Sequence, residues 1–192
     1  AVERLEIVLG PELYSVAYLF FPSAANGELF LYHEGHDGGF WLGRATIAAL
    51  LEQGYAVLAL AMPLRGHNPR PGDGDGWWNH RYLWRSAPEE GTVLRYFLEP
   101  IVVGLNHALA EHAFSDVHSI GISGGGWSLT LAAALDERIT TTFAVAGSLP
   151  HFARKPRGAE WGDREQNWRP LYQRASYLDA YLLGSLPAGR RF

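Results

Sequence analysis

Apolar runs and helix-like stretches alternate along this chain, and their order limits the folds open to it. Such alternation is typical of a parallel sheet flanked by helices. Strands are predicted at residues 5–9, 14–21, 29–33, 55–62, 117–122 and 139–146. Gly10 and Pro11 separate the first two strands, which are therefore expected to form a leading antiparallel pair. The remaining strands predict an α/β fold with a mostly parallel central sheet and helices on both faces.

Apolar residues recur at helical spacing in four stretches between or after these strands. Helices are predicted at residues 42–54, 92–112, 124–136 and 171–183. Gly54 is expected to end the first helix. Pro100 is expected either to kink the second helix or to lie in its true first turn.

The composition is that of a globular protein. The chain has 192 residues, of which 47% are hydrophobic and 19% charged, and no repeat or linker divides it, so a single domain over residues 1–192 is predicted. The net charge of -4 is small and mixed in sign, which argues against nucleic acid as a partner. No apolar run is long enough to cross a membrane, and no membrane partner is expected. The N-terminus lacks the pattern of a signal peptide, which favours the cytoplasm; the oligomeric state stays open.

The chain contains no cysteine, and this excludes several kinds of site. A disulfide framework, a thiolate metal site and a cysteine nucleophile are all ruled out. Five histidines show no metal-ligand spacing and are predicted to be surface or capping groups; they are His67, His80, His107, His112 and His118. No metal site and no cofactor are expected.

The segment over residues 63–88 breaks the alternation, because it combines glycine and proline with large aromatic residues. Loops of this length inside a compact domain are usually functional or mobile, so the segment is predicted to be a lid-like loop. Its tryptophans, Trp78 among them, are expected either to roof a substrate pocket or to anchor the loop to the core.

Residues 121–125 read Gly-Ile-Ser-Gly-Gly, a G-x-S-x-G pattern between a predicted buried strand and a predicted helix. A serine at the tip of such a turn has a strained backbone, and small residues beside it let the strand and the helix approach closely. The helix that begins at Gly124 directs N–H groups toward Ser123, where they stabilise negative charge on a substrate oxygen. Ser123 is therefore the candidate nucleophile, and the Gly124 N–H is a candidate oxyanion donor. In the alternative interpretation, Ser123 caps the helix and the glycines are packing spacers.

A glycine-rich loop at residues 35–39 follows the third predicted strand. Glycine is suited to places where the backbone comes close to a ligand. The loop is expected to supply the second oxyanion donor, the N–H group of His36. The alternative is an ordinary strand-to-helix turn.

Three stretches together resemble the α/β-hydrolase superfamily: residues 33–36 (HEGH), residues 63–68 (PLRGHN) and residues 121–125. The resemblance covers roughly residues 5–147, and the run of residues 121–127 is similar to dienelactone-hydrolase-like and prolyl-oligopeptidase-like esterases. It implies a serine hydrolase that cleaves carboxylic esters, without a cofactor, through an acyl-enzyme on Ser123. It also implies that a histidine removes the serine proton and that a carboxylate orients this histidine.

The stretch after Ser123 departs from the family order of serine, acid and histidine. Its one histidine, His151, precedes every acid except Asp136 and Glu137, which are predicted at a helix end. We therefore expect the next strand to begin about residue 190 and the triad acid and histidine to lie beyond residue 192. The chain as given is then expected to be nearly inactive, because removing the base costs about 10⁶-fold in turnover.

Four further residues are predicted to line the pocket. The pocket candidates are Trp127, Trp78, His151 and Asp163. Of these, His151 is expected to be a loop histidine near the pocket rather than the base, and Asp163 a turn residue or arginine partner rather than the triad acid.

The expected partner is a small-molecule ester. The alternatives are a peptidase of the prolyl-oligopeptidase type and a catalytically silent binding protein with a hydrolase fold.

Overall fold

A computed structural model describes residues 1–11, 13–68, 80–85, 92–154, 162–186 and 189–192. Its strands are β1 (Val2–Gly10), β2 (Leu13–Phe20), β3 (Glu28–His33), β4 (Ala56–Leu60), β5 (Asp116–Ile122) and β6 (Thr141–Val145). Its α-helices are α1 (Arg44–Glu52), α2 (Arg81–Arg85), α3 (Arg95–Glu111), α4 (Gly124–Leu135), α5 (Arg169–Tyr172) and α6 (Tyr177–Ser185). Pro100 lies inside α3 rather than in its first turn.

The described strands form one sheet in the order β1-β2-β4-β3-β5-β6. The β1–β2 and β2–β4 pairs are antiparallel, whereas β3 is parallel to β4 and β5, and β5 is parallel to β6. Within this sheet β2 alone runs against the other strands. The predicted leading antiparallel pair and the predicted mostly parallel sheet are both confirmed.

Helices cover both faces of the sheet, as the alternation along β3 illustrates. Leu31 belongs to a core that also contains Ile101 of α3 and Leu129 of α4. Its neighbour Phe30 points to the opposite face, into a second core with Ile47 of α1. Burial on both faces explains why these strands read as nearly continuous apolar runs.

The C-terminal helical region differs from its prediction. The sequence predicts one helix over residues 171–183, whereas the structure has two helices, α5 and α6, separated by residues 173–176. The Ser176 hydroxyl accepts the Asp179 N–H, and the Asp179 carboxylate accepts the Ser176 N–H. This reciprocal capping box begins a new helix at Tyr177 and accounts for the break.

The backbone after residue 190 reaches the edge of β6. Arg191 forms a parallel bridge with Thr141. Its N–H donates to the carbonyl of Thr140, and its own carbonyl accepts from the N–H of Thr142, both at 2.9 Å. Strand-like pairing thus starts close to residue 190, where the sequence predicts the next strand.

In the segment predicted to be a lid-like loop, the structure describes residues 63–68 and 80–85. Residues 81–85 form α2, and Leu83 of this helix is fully buried in the same core as Phe97. This part of the segment is therefore anchored to the core. Trp78 and the rest of the predicted lid lie outside the described residues. No helix in the described part of the chain is long and apolar enough to span a membrane.

Candidate active site

The order of the strands creates a crevice at the carboxyl end of β3. The next strand in the chain, β4, pairs on one side of β3, and β5 pairs on the other. In open α/β sheets, ligands bind in the crevice outside the carboxyl ends of two such strands. Ser123 directly follows β5, and His36 lies in the loop after β3. The topology therefore places both residues at this crevice.

Ser123 has a strained backbone and an exposed side chain. Its dihedral angles are φ 52° and ψ -121°, a region that costs a residue with a Cβ about 1–3 kcal/mol. Its N–H donates to the Val145 carbonyl at 2.7 Å, and its carbonyl accepts from the Trp127 N–H at 3.0 Å. It precedes α4, yet its side chain makes no capping hydrogen bond. The hydroxyl is therefore not used as a helix cap.

Two glycines of the G-x-S-x-G motif allow β5 and α4 to pack this closely. A Cβ on Gly121 would lie 2.6 Å from the carbonyl carbon of Gly125. A Cβ on Gly125 would lie 2.1 Å from the carbonyl oxygen of His33. Neither backbone atom can move aside, so the turn at Ser123 requires glycine at both positions.

The loop after β3 contacts both Ser123 and the start of α4. A Cβ on Gly35 would lie 3.0 Å from the Cβ of Ser123. The Gly35 N–H donates to the Glu34 carboxylate at 3.0 Å and is therefore already occupied. The ring of His36 lies against Gly124, with its Nδ1 and Cε1 2.4 Å from where a Cβ would be. The structure thus brings Ser123, Gly124 and His36 together.

A cavity of about 390 Å³ opens beside Ser123. Its wall combines apolar side chains, such as Leu42 and Val145, with the acidic residues Glu34 and Asp37. This volume is within the range of small-molecule sites, about 300–1,000 Å³. The crevice can therefore hold a small ligand directly beside the Ser123 hydroxyl.

Buried titratable groups occupy the end of β3. The Tyr32 hydroxyl donates to the Glu34 carboxylate at 2.7 Å, and burial together with this bond raises the pKa of Tyr32. The Nδ1 of His33 lies 2.9 Å from the Glu34 carbonyl oxygen. Burial lowers the pKa of His33 to about 4, against the opposing effect of this hydrogen bond. His33 is therefore neutral at pH 7 and donates from Nδ1.

A cluster of two histidines and a glutamate adjoins the site. His36 Nε2 lies 2.6 Å from Glu165 Oε1, and His80 Nδ1 lies 3.0 Å from the same oxygen. Burial disfavours the ionised carboxylate, but the contacts with the two histidines outweigh it and lower the pKa of Glu165 to about 2. Asp163 lies at the edge of the cluster, with Oδ2 3.3 Å from His36 Nδ1.

The sequence does not predict this cluster. His80 is predicted to be a surface or capping group, but it is fully buried, so that prediction is wrong. The residues are separated by 85 positions (His80 and Glu165) and 129 positions (His36 and Glu165) along the chain. Neither local spacing nor periodicity signals contacts over such separations.

Two further residues predicted for the pocket lie elsewhere. Trp127 is fully buried in the core, and its indole N–H donates to the Tyr172 hydroxyl at 2.7 Å. His151 has its Nε2 3.2 Å from the Gln166 carbonyl oxygen, and its ring packs edge-on against Tyr172 and Tyr177. Contrary to expectation, neither side chain lines the cavity beside Ser123, because both are engaged in aromatic packing.

Solved structures share this arrangement of sheet and helices. An esterase of Pyrococcus furiosus, Pf2001, superposes with a TM-score of 0.61 and 15% identity, covering 96% of this chain and 66% of the esterase. Est1E of Butyrivibrio proteoclasticus, solved with ferulic acid bound, gives 0.58 and 22% identity, covering 82% of this chain and 59% of Est1E. The α/β hydrolase GrgF of a Penicillium species gives 0.53 and 15% identity, covering 74% of this chain and 44% of GrgF. The chain has the α/β-hydrolase fold.

The superposition with these structures confirms the predicted fold class. No protein-family model matches the sequence, and no curated protein matches it. The chain spans between 44% and 66% of the length of the three hydrolases. In this chain the switch point of the sheet, Ser123 and the cavity lie at the same place.

Proposed function

We propose that this α/β-hydrolase chain carries the nucleophile of a serine hydrolase that cleaves small carboxylic esters. The backbone at Ser123 is the observation that carries the proposal. Ser123 combines a φ of 52° with a side chain that makes no capping bond and lines the cavity. Strained positions of this kind cluster at active sites, where the strain holds a group in a reactive position.

The reaction would proceed through an acyl-enzyme. Ser123 Oγ attacks the ester carbonyl carbon, and the electron pair of the C=O bond moves to its oxygen. The N–H groups of Gly124 and His36 hold this oxyanion; His36 takes this part because the Gly35 N–H already donates to the Glu34 carboxylate. Collapse of the intermediate breaks the bond to the alcohol, which leaves with a proton, and water then releases the acid.

Turnover also needs a general base for the Ser123 proton. Among the described residues, the Ser123 hydroxyl makes no hydrogen bond to a histidine. Without a base, oxyanion stabilisation and binding give a residual acceleration of about 10³–10⁴ over water. We therefore expect slow but measurable acylation of this chain at Ser123.

The cavity wall favours certain esters over others. Leu42, Ile122 and Val145 offer apolar surface for an acyl or aryl group. The carboxyl side chains of Glu34 and Asp37 repel negative charge at short range. Neutral or cationic esters therefore fit this site better than esters that carry a second carboxylate.

Labelling with a fluorophosphonate tests the proposed nucleophile. The wild-type chain is expected to carry the label on Ser123, and Ser123→Ala is expected to remove it. Ser23→Ala is the matched control, because Ser23 is an exposed loop serine away from the crevice. Equal labelling of the wild type and Ser123→Ala would contradict the proposal and favour a binding role for the fold.

A further inference from the structure

The His36–His80–Glu165 cluster joins three separate parts of the chain. His36 comes from the loop after β3, His80 directly precedes α2, and Glu165 begins a short 3-10 turn at Glu165–Asn167. The side chains of His80 and Glu165 have no exposed surface, and that of His36 is 11% exposed. The cluster is therefore buried, and of its three side chains that of His36 alone is partly exposed.

Both ring nitrogens of His80 face acceptor oxygens, whereas a neutral imidazole has only one N–H group to donate. His80 Nε2 lies 3.0 Å from the carbonyl oxygen of Pro63, which can only accept, so Nε2 carries a proton. In a neutral ring, Nδ1 then has a lone pair, and this lone pair faces Glu165 Oε1 at 3.0 Å. An ionised carboxylate is also only an acceptor. A proton or a metal ion must therefore lie between the two atoms.

The Glu165 carboxylate also has unused acceptor capacity. The Glu165 Oε1 atom faces both histidines, at 2.6 Å from His36 Nε2 and 3.0 Å from His80 Nδ1. Its second oxygen, Oε2, is buried and meets no hydrogen-bond donor among the described residues. A fully buried carboxylate oxygen without a partner is costly, and a bound cation removes that cost.

We propose that His36 Nε2, His80 Nδ1 and the Glu165 carboxylate form a binding site for a divalent transition metal ion of the Zn²⁺ type. The three ligand atoms lie within 4.8 Å of one another. Zn²⁺ takes imidazole nitrogen and carboxylate oxygen in a tetrahedron whose corners are about 3.4 Å apart. The contacts of 2.6 and 3.0 Å therefore need to open by less than an ångström.

The surroundings of both histidines suit metal ligands. A metal-bound histidine normally directs its other ring nitrogen to a carbonyl or carboxylate oxygen, which fixes the orientation of the ring. For His80 this partner is the Pro63 carbonyl at 3.0 Å. For His36 it is Asp163 Oδ2, 3.3 Å from Nδ1, a contact that a small ring rotation turns into a hydrogen bond. Asp163 is thus a positioning residue, and the fourth coordination position is left to water or Glu165 Oε2.

The ion would clamp the loop after β3 to two segments that are distant in sequence. Because the His36 ring also lies against Gly124, this clamp would fix the loop beside Ser123. The site stands independently of esterase activity, and its test needs no substrate.

Titration with Co²⁺ and Zn²⁺ tests the proposal on the tag-free, chelator-treated chain. One equivalent of Co²⁺ is expected to give the visible absorption of a four-coordinate ion, and one equivalent of Zn²⁺ is expected to displace it and raise the Tm. Glu165→Gln and His36→Gln are each expected to weaken binding by at least about 100-fold, and Asp163→Asn by about 10–100-fold. Circular dichroism establishes whether each variant is folded. If Glu165→Gln does not fold, His36→Gln takes its place as the test variant.

A partly buried histidine–glutamate pair outside the cluster provides the control. His118 Nε2 lies 2.8 Å from Glu28 Oε2, so His118→Gln removes a similar contact outside the cluster and is expected to leave the affinity unchanged. Two results would overturn the proposal. One is the absence of a stoichiometric Co²⁺ complex with no change of Tm, which would mean that protons alone bridge the cluster. The other is undiminished binding by folded His36→Gln.

Discussion

The ring of His36 packs against the backbone of Gly124, so closely that a Cβ on Gly124 would lie 2.4 Å from His36 Nδ1. From its other side, the same ring is held by Glu165, with Nε2 2.6 Å from Oε1. The contact joins the loop after β3 to the start of α4. These are the two segments proposed to supply the oxyanion donors.

Substitution of Gly124 tests this contact. Alanine is the better helix former, yet Gly124→Ala is expected to lower the free energy of unfolding by about 1–3 kcal/mol, because the new Cβ would displace the His36 ring from its contact with Glu165. Urea denaturation measures the change. Gly10→Ala is the matched control, because a Cβ there meets nothing within 4 Å; it is expected to change stability by less than about 0.5 kcal/mol. Equal effects of both substitutions would show that the contact carries no strain.

The buried His33 makes stability depend on pH. Its pKa is about 4 in the folded chain, against 6.5 as the ordinary value. As the pH falls below about 6.5, the unfolded chain binds the proton first, so stability decreases until about pH 4 and then levels off. The full loss is about 3 kcal/mol.

Urea unfolding at pH 7 and at pH 4.5 measures this contribution. His33→Asn keeps an N–H donor near the position of Nδ1 but does not titrate. The fall in stability between the two pH values is expected to be smaller for His33→Asn than for the wild type. An identical fall in both proteins would mean that His33 is not the titrating group.

The capping box of α6 gives a third prediction. Ser176→Ala removes the side chain that accepts the Asp179 N–H, and it is expected to cost about 1 kcal/mol of stability. Ser185→Ala, in the last turn of the same helix, is the control and is expected to have a smaller effect. Thermal unfolding of both variants measures the difference. A Tm that falls equally in the two variants would argue against the cap.

Local patterns in the sequence predict most of the sheet and the position of Ser123. The spacing of apolar residues in each strand depends on whether one or both of its faces are buried. The glycines around Ser123 are needed because β5 and α4 approach each other so closely that only glycine fits. The break before α6 also has a local signal, the Ser-x-x-Asp pattern at residues 176–179, which a search for capping boxes would find.

The histidine cluster and the true position of Trp127 follow from tertiary packing. His80 meets Glu165 where α2 docks on the core through Leu83. Trp127 is drawn into the core, where its ring packs edge-on against Phe97. Both contacts join residues far apart in the chain, and local spacing carries no information about them.

The backbone conformation at residue 123, at the start of α4, is expected to activate the side chain at that position. The chain has no cysteine, so Ser123→Cys introduces a unique thiol, and Ser23→Cys introduces one on an exposed loop. A helix N-terminus lowers the pKa of a thiol, and the oxyanion donors stabilise its attack on an ester.

The most direct measurement is the rate at which each unique thiol is acylated by p-nitrophenyl acetate at pH 7, followed by p-nitrophenol release and intact mass. Ser123→Cys is expected to react on the order of 10²-fold faster than Ser23→Cys. Equal rates for the two thiols would mean that the position of residue 123 does not activate its side chain.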